Sequence, residues 1–136
     1  MYIHLPAGAP FPELPCLRTR IVVVVEMEVS REWQRLASKW MIDVGCLYMM
    51  AWGIDCSSWD DAVDDAHLEK YDYDYEQIPE DDFVITTWHD DDPLPVVFRY
   101  AKGELDHPHF ELNRTIILDI AKVDRSVQII QAYRQA

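Results

Sequence analysis

Apolar residues fall into four short blocks along the chain, each followed by a stretch with helical spacing. The first block, Ile21-Val22-Val23-Val24-Val25, is β-branched and apolar on both faces. It predicts a central strand over residues 20–29, covered from both sides. Ser30 is placed to cap a helix whose inner stripe is Trp33, Leu36, Ala37, Trp40 and Met41, and Gly45 to stop it. A second strand follows over residues 46–52 and ends at Gly53. Ser57-Ser58-Trp59-Asp60 has the spacing of a capping box with Asp in the Glu/Gln place. It predicts a helix with Asp60 and Asp61 in its first turn, Trp59, Ala62, Val63, Ala66 and Leu68 inside, and Asp61, Asp64, Asp65 and Glu69 outside.

Residues 71–82 alternate aromatic and acidic side chains and predict a loop. Residues 83–88 form a third strand. Pro93 or Pro95 opens a short helix ended by Gly103, and a polar loop is expected over residues 104–113. Residues 115–120 give a fourth strand. Asp124 would cap a last helix with the stripe Val127, Ile130 and Tyr133/Arg134. Residues 1–19 carry four prolines and no period. They form either an extended arm laid over the body or a partly disordered one. The expected organisation is thus an arm, 1–19, and a single α/β domain, 20–136. That domain is a small three-layer sandwich with a four-stranded, mainly parallel sheet and helices on both faces. Strand order stays open. In such sheets ligands gather beyond the carboxyl ends of the strands, near the point where strand order reverses.

Charge changes this picture in one place. Of the 136 residues, 25 are acidic and 12 are Lys or Arg, a net charge of −13. Fifteen of the acids and only one base, Lys70, lie within residues 55–92, so this segment alone carries −14. The balance argues against direct binding to nucleic acid or to an anionic membrane, both of which need Lys and Arg. It allows a basic protein partner, a divalent cation, or no role beyond solubility. No apolar run reaches the roughly 18 residues of a membrane helix. The N-terminal residues lack the pattern of a secretory signal, so the cytoplasm is the expected location. Three scattered cysteines fit a reducing compartment. Cys46 and Cys56, at opposite ends of one strand, would stand about 20 Å apart, too far for a disulfide.

The carboxyl ends of the second and third strands should bring Trp52, Asp55, Trp59, Trp88, His89, Asp90, Asp91 and Asp92 to one edge of the sheet, a candidate binding site with aromatic walls and an acidic floor. An enzymatic alternative uses Cys56 as nucleophile at a helix N-terminus, His89 as base and Asp90 or Asp55 to orient it. A metal alternative uses Asp55, His89 and Asp90 as ligands for Mg²⁺ or Mn²⁺. Against the first stand Asp60 and Asp61, whose charge opposes a thiolate. Against the second stands the lack of a phosphate-binding G-x-x-x-x-G-K-[ST] loop in a chain with four glycines. No cofactor is expected. The favoured expectation is a non-enzymatic docking face, with electrostatic steering from the acids and anchoring by interleaved aromatics.

The segments Met50-Ala51-Trp52-Gly53-Ile54-Asp55-Cys56-Ser57-Ser58-Trp59-Asp60-Asp61-Ala62-Val63-Asp64 and Ile78-Pro79-Glu80-Asp81-Asp82-Phe83-Val84-Ile85-Thr86-Thr87-Trp88-His89 resemble those of a bacterial domain family of unknown function. The likeness spans roughly residues 20–121. It implies a short, acidic, stand-alone bacterial protein and assigns no residue a role. The chain is also similar to barstar-type inhibitors in charge and general architecture alone, which implies an immunity or inhibitor function. Neither likeness identifies a partner or an oligomeric state.

Overall fold

The β-branched run does become the centre of the sheet. In a computed structural model, which describes residues 1–104 and 106–136, β2 (Thr19–Val25) is buried along its whole length. It is flanked by β3 (Cys46–Gly53) on one side and β5 (Arg114–Ile120) on the other. The sheet has five strands in the order β1-β5-β2-β3-β4, and all pairings are parallel. β4 (Ile85–His89) and β1 (Tyr2–His4) are its edges. The sheet is therefore one strand wider than the four apolar blocks predict. The fifth strand comes from the arm: Tyr2, Ile3 and His4 pair with Ile117, Leu118 and Asp119. Three residues are too few to show a period of two, and only the exposed edge of β5 makes them a strand.

Side chains alternate between two cores. Ile21, Val23, Val25, Met49, Ala51, Ile116, Leu118 and Ile120 face α1 (Arg31–Asp43) and α2 (Cys56–Lys70). Val22, Val24, Tyr48, Met50 and Ile117 face α3 (Leu94–Arg99) and α4 (Ser126–Gln135). This layering follows from right-handed crossovers. The chain winds outward from β2 through β3 to β4, then returns across the sheet to β5. The order therefore reverses between β2 and β5.

Ser30 caps α1 as expected, its Oγ accepting the Trp33 amide at 3.1 Å. Gly45 follows the helix with φ +97°, left-handed backbone that glycine adopts without strain. Leu36 sits at the border of the α1 stripe and is 42% exposed. The arm is extended and lies across α1. Phe11 stacks on Trp33 and Trp40 at 5.6 and 5.9 Å, and the two indole N–H groups donate to Ala9 O and Pro12 O.

Several local expectations change. α2 begins at Cys56, with Asp55 as its cap residue in left-handed conformation, so no acid lies in the first turn and the capping box does not form. Instead Ser58 Oγ donates to the Asp55 carbonyl at 2.7 Å. In α4 the buried residue is Ile129, and Ala132, Tyr133 and Ala136 pack with it, while Val127 is 79% exposed. The cap residue of α4 is Arg125, and Asp124 accepts the Ser126 amide from one position earlier. Residues 71–82 hold two short 3-10 turns, Tyr75–Gln77 and Glu80–Asp82. α3 runs on into a π turn, Tyr100–Glu104. The loop expected over residues 104–113 includes Leu105, which lies outside the described residues.

Candidate functional site

The expected residues do share the carboxyl edge of β3 and β4, but the sheet divides them into two sets. Trp52 and His89 are register partners on the face of α3. The Trp52 Nε1–H donates to Asp92 O at 2.8 Å. His89 Nδ1 lies 3.1 Å from Asp92 Oδ2, and its Nε2 lies 3.0 Å from Thr87 Oγ1. The ring packs against Tyr100 at 5.5 Å. Both imidazole nitrogens are thus engaged, and together with Trp52 they fold the 90–92 turn back onto the sheet.

Cys56 and Trp59 belong to the other face, in the core beneath α1 and α2, where they are 3% and 1% exposed. Burial pushes the Cys56 thiol above its usual range. The His89 backbone amide opposes this, and the Asp90 charge adds to it. A thiol held protonated in this way is a packing group. No hydrogen bond joins it to the His89 ring among the described residues. Asp55 points elsewhere again, 3.5 Å from Arg31, beside a cavity of about 230 Å³ between the β2–α1 and β3–α2 connections. That cavity is also lined by Gln34 and Ser58, which bond to each other at 2.8 Å. The grouping of Cys56, His89 and Asp90 is therefore not assembled as nucleophile, base and orienter. Among the described residues no three His, Cys, Asp or Glu side chains converge to hold a metal, so Asp55, His89 and Asp90 do not meet either.

The acids remain at the surface. Of the fifteen within residues 55–92, four are in ion pairs: Asp55 with Arg31, Glu69 with Lys39, Asp82 with Lys70 and His67, and Asp92 with His89. The other eleven have no cationic partner among the described residues. Asp64 shows the consequence. Partial burial is the main cause that raises its pKa, the Thr86 hydroxyl works against it, and Asp60 and Asp61 add to the rise. Beside these acids Trp88 is 45% exposed, and Tyr73, Tyr75 and Phe83 are also open to solvent.

At the lower end of the same flank, His67 is buried beside Asp82. Its burial lowers its pKa, and the Asp82 charge only partly offsets this. The folded state therefore takes up this proton less readily than the unfolded chain. Its contribution to stability is full above the ordinary histidine value near 6.5 and is lost as pH falls from there toward the lower folded value. Urea titrations should show the midpoint falling as pH drops below 6.5, and His67→Gln should flatten that segment of the profile.

A second polar cluster lies where the strand order reverses. Asp119 is fully buried on the α3–α4 face of β5. It accepts from Tyr2 Oη at 2.6 Å and from Arg125 Nη2 and Nε at 2.6 and 3.3 Å. Arg125 also reaches Glu26 at 3.2 Å. The partners Tyr2, Glu26 and Arg125 are not singled out by the sequence pattern. The available signal is the acid itself, since an aspartate inside an apolar strand requires a cation nearby. Their mutual bonding is complete and ties β1 and α4 to the sheet.

Fold and site together define a small doubly wound α/β protein with a crossover at β2/β5 and an uncompensated acidic flank along α2 and β4. The chain belongs to the family described as domain of unknown function DUF7684, whose profile matches residues 1–136. No curated protein and no solved structure matches it. No helix among the described residues is long and apolar enough to cross a membrane.

Proposed function

We propose that this protein is a non-enzymatic interaction module of immunity or inhibitor type, which binds a basic protein partner through the face built by residues 55–92. The observation that carries the reading is the set of eleven acids without cationic partners among the described residues, beside the exposed aromatics Trp88, Tyr73, Tyr75 and Phe83. Charge of one sign concentrated on one flank steers a partner of the other sign, and aromatic side chains supply contact area that charges do not. Trp52, His89 and Asp92 then have a supporting role, holding the 90–92 turn so that Asp90 and Asp91 face solvent. The alternative of a small enzyme or metal site built on Asp55, Cys56, His89 and Asp90 has weaker support, because these side chains address separate surroundings.

The test is capture of a partner from the native host by the immobilised full chain. Retention is expected at low ionic strength and release at about 0.5 M salt, where the screening length falls below about 5 Å. The variant Asp60→Asn/Asp61→Asn/Asp90→Asn/Asp91→Asn should bind the identified partner at least about tenfold more weakly at low salt. Equal binding by that variant would remove the acidic face from the account.

A further inference from the structure

We infer that the partner's contact element is an extended, Lys/Arg-bearing segment that adds to the free edge of β4 as a sixth strand. This rests on the docking reading above and names how the docking occurs.

The first ground is the edge itself. β4 pairs with β3 on one side and, among the described residues, has no strand on the other. Among the described residues no loop or turn backbone bonds to the backbone of residues 85–89. The outward-facing amides and carbonyls of such a strand template another chain, and proteins commonly block them with Lys, Pro, a bulge or a very short strand. β1, the opposite edge, is short at three residues. β4 is Ile-Thr-Thr-Trp-His, without Lys, Pro or Gly, and its pairing with β3 is in continuous register. It is the longer edge and lacks these blocks.

The second ground is what surrounds it. Thr86 Oγ1 donates to Asp64 Oδ1 at 2.9 Å, which sets Thr86 on the α2 side of β4. With a side-chain period of two, Trp88 shares that side. Asp60 and Asp61 stand one helical turn from Asp64, and Asp90 and Asp91 follow at the end of the strand. A second copy of this chain pairing there would bring two such sets of acids together, so self-association is opposed by charge. A strand with cations at alternate positions is favoured instead. Its Lys or Arg side chains would point to the α2 side, between these carboxylates and over the Trp88 ring.

The test uses the full chain and a synthetic peptide of about ten residues, long enough to span β4, alternating Lys with Val or Thr. Two further peptides carry the same sequence with N-methyl groups on every second amide, one in each phase. Methylation keeps the charge and removes the donors along one edge. At low salt the parent peptide should bind, at least one methylated phase should bind about tenfold more weakly or worse, and the parent should slow hydrogen exchange of β4 amides. If both methylated peptides bind within about twofold of the parent, the edge is not used and the acidic face alone does the binding. If no peptide binds at low salt, the docking reading itself fails, and this inference with it.

Discussion

Replacing Arg125 with methionine should lower the stability of the fold by about 3 kcal/mol, read as a fall in the urea midpoint. The substitution keeps an unbranched apolar stem and removes the cation that the fully buried Asp119 carboxylate requires. Tyr2 Oη would be the remaining side-chain donor to Asp119. Arg125 itself keeps a side-chain exposure of 23%, which places the expected loss at the low end for breaking a buried pair. The double variant Asp119→Leu/Arg125→Met should recover much of the loss, because it leaves no buried unpaired charge, Glu26 being 37% exposed at its side chain. A single-variant loss under about 1 kcal/mol would show that the pair is not what holds this part of the sheet. The same cluster fastens β1, so the Arg125→Met variant should also expose the first residues of the chain to proteolysis.

The second large effect is expected at Gly53. Its φ is +106°, and a Cβ there would stand 2.2 Å from the backbone oxygen of Val25. That oxygen accepts the Ile54 amide at 2.9 Å, so it is fixed. Gly53→Ala therefore combines an unfavourable φ with a collision against backbone, and a loss of about 3 kcal/mol or more is expected. Gly8→Ala separates the two causes, since Gly8 has φ +81° and nothing within 4 Å of the added carbon. It should cost only the conformational part, about 1 kcal/mol. Equal thermal shifts in the two variants would mean that the contact with Val25 relaxes freely. Gly53 is thus the point at which β3 turns into α2, and the burial of Cys56 and Trp59 depends on it.

Several features were legible in the chain because local physics decides them. A β-branched run apolar on both faces can only lie inside a covered sheet. A serine before a helical stripe caps it, and a glycine at Gly45 ends it. The acidic flank was legible because fifteen charges in one segment have few bases within reach to neutralise them. The helical phase of α4 was not. Its stripe is short, and both Val127/Ile130/Tyr133 and Ile129/Ala132/Tyr133 satisfy helical spacing. The ion pair of Arg125 with Asp119 lies at the start of this helix and ties it to the sheet on the side that buries Ile129. The start of α2 was displaced for a related reason. Asp55 adopts left-handed backbone, a local choice that no spacing of Ser and Asp announces.

The candidate site divides along the same line. The sequence by itself determined that Trp52, Asp55, Cys56, Trp88, His89 and Asp90 to Asp92 come to one edge, because residues that follow parallel strands emerge on the same side of the sheet. It also determined the sign and place of the charge. Only the tertiary structure decided which of these side chains meet. Alternation along a strand puts His89 with Trp52 and Tyr100 on one face, and the crossover through α2 puts Cys56 and Trp59 on the other. Only the strand order, set by pairings between distant segments, decided that β4 is an edge. The uncompensated acids therefore border an open row of backbone donors and acceptors.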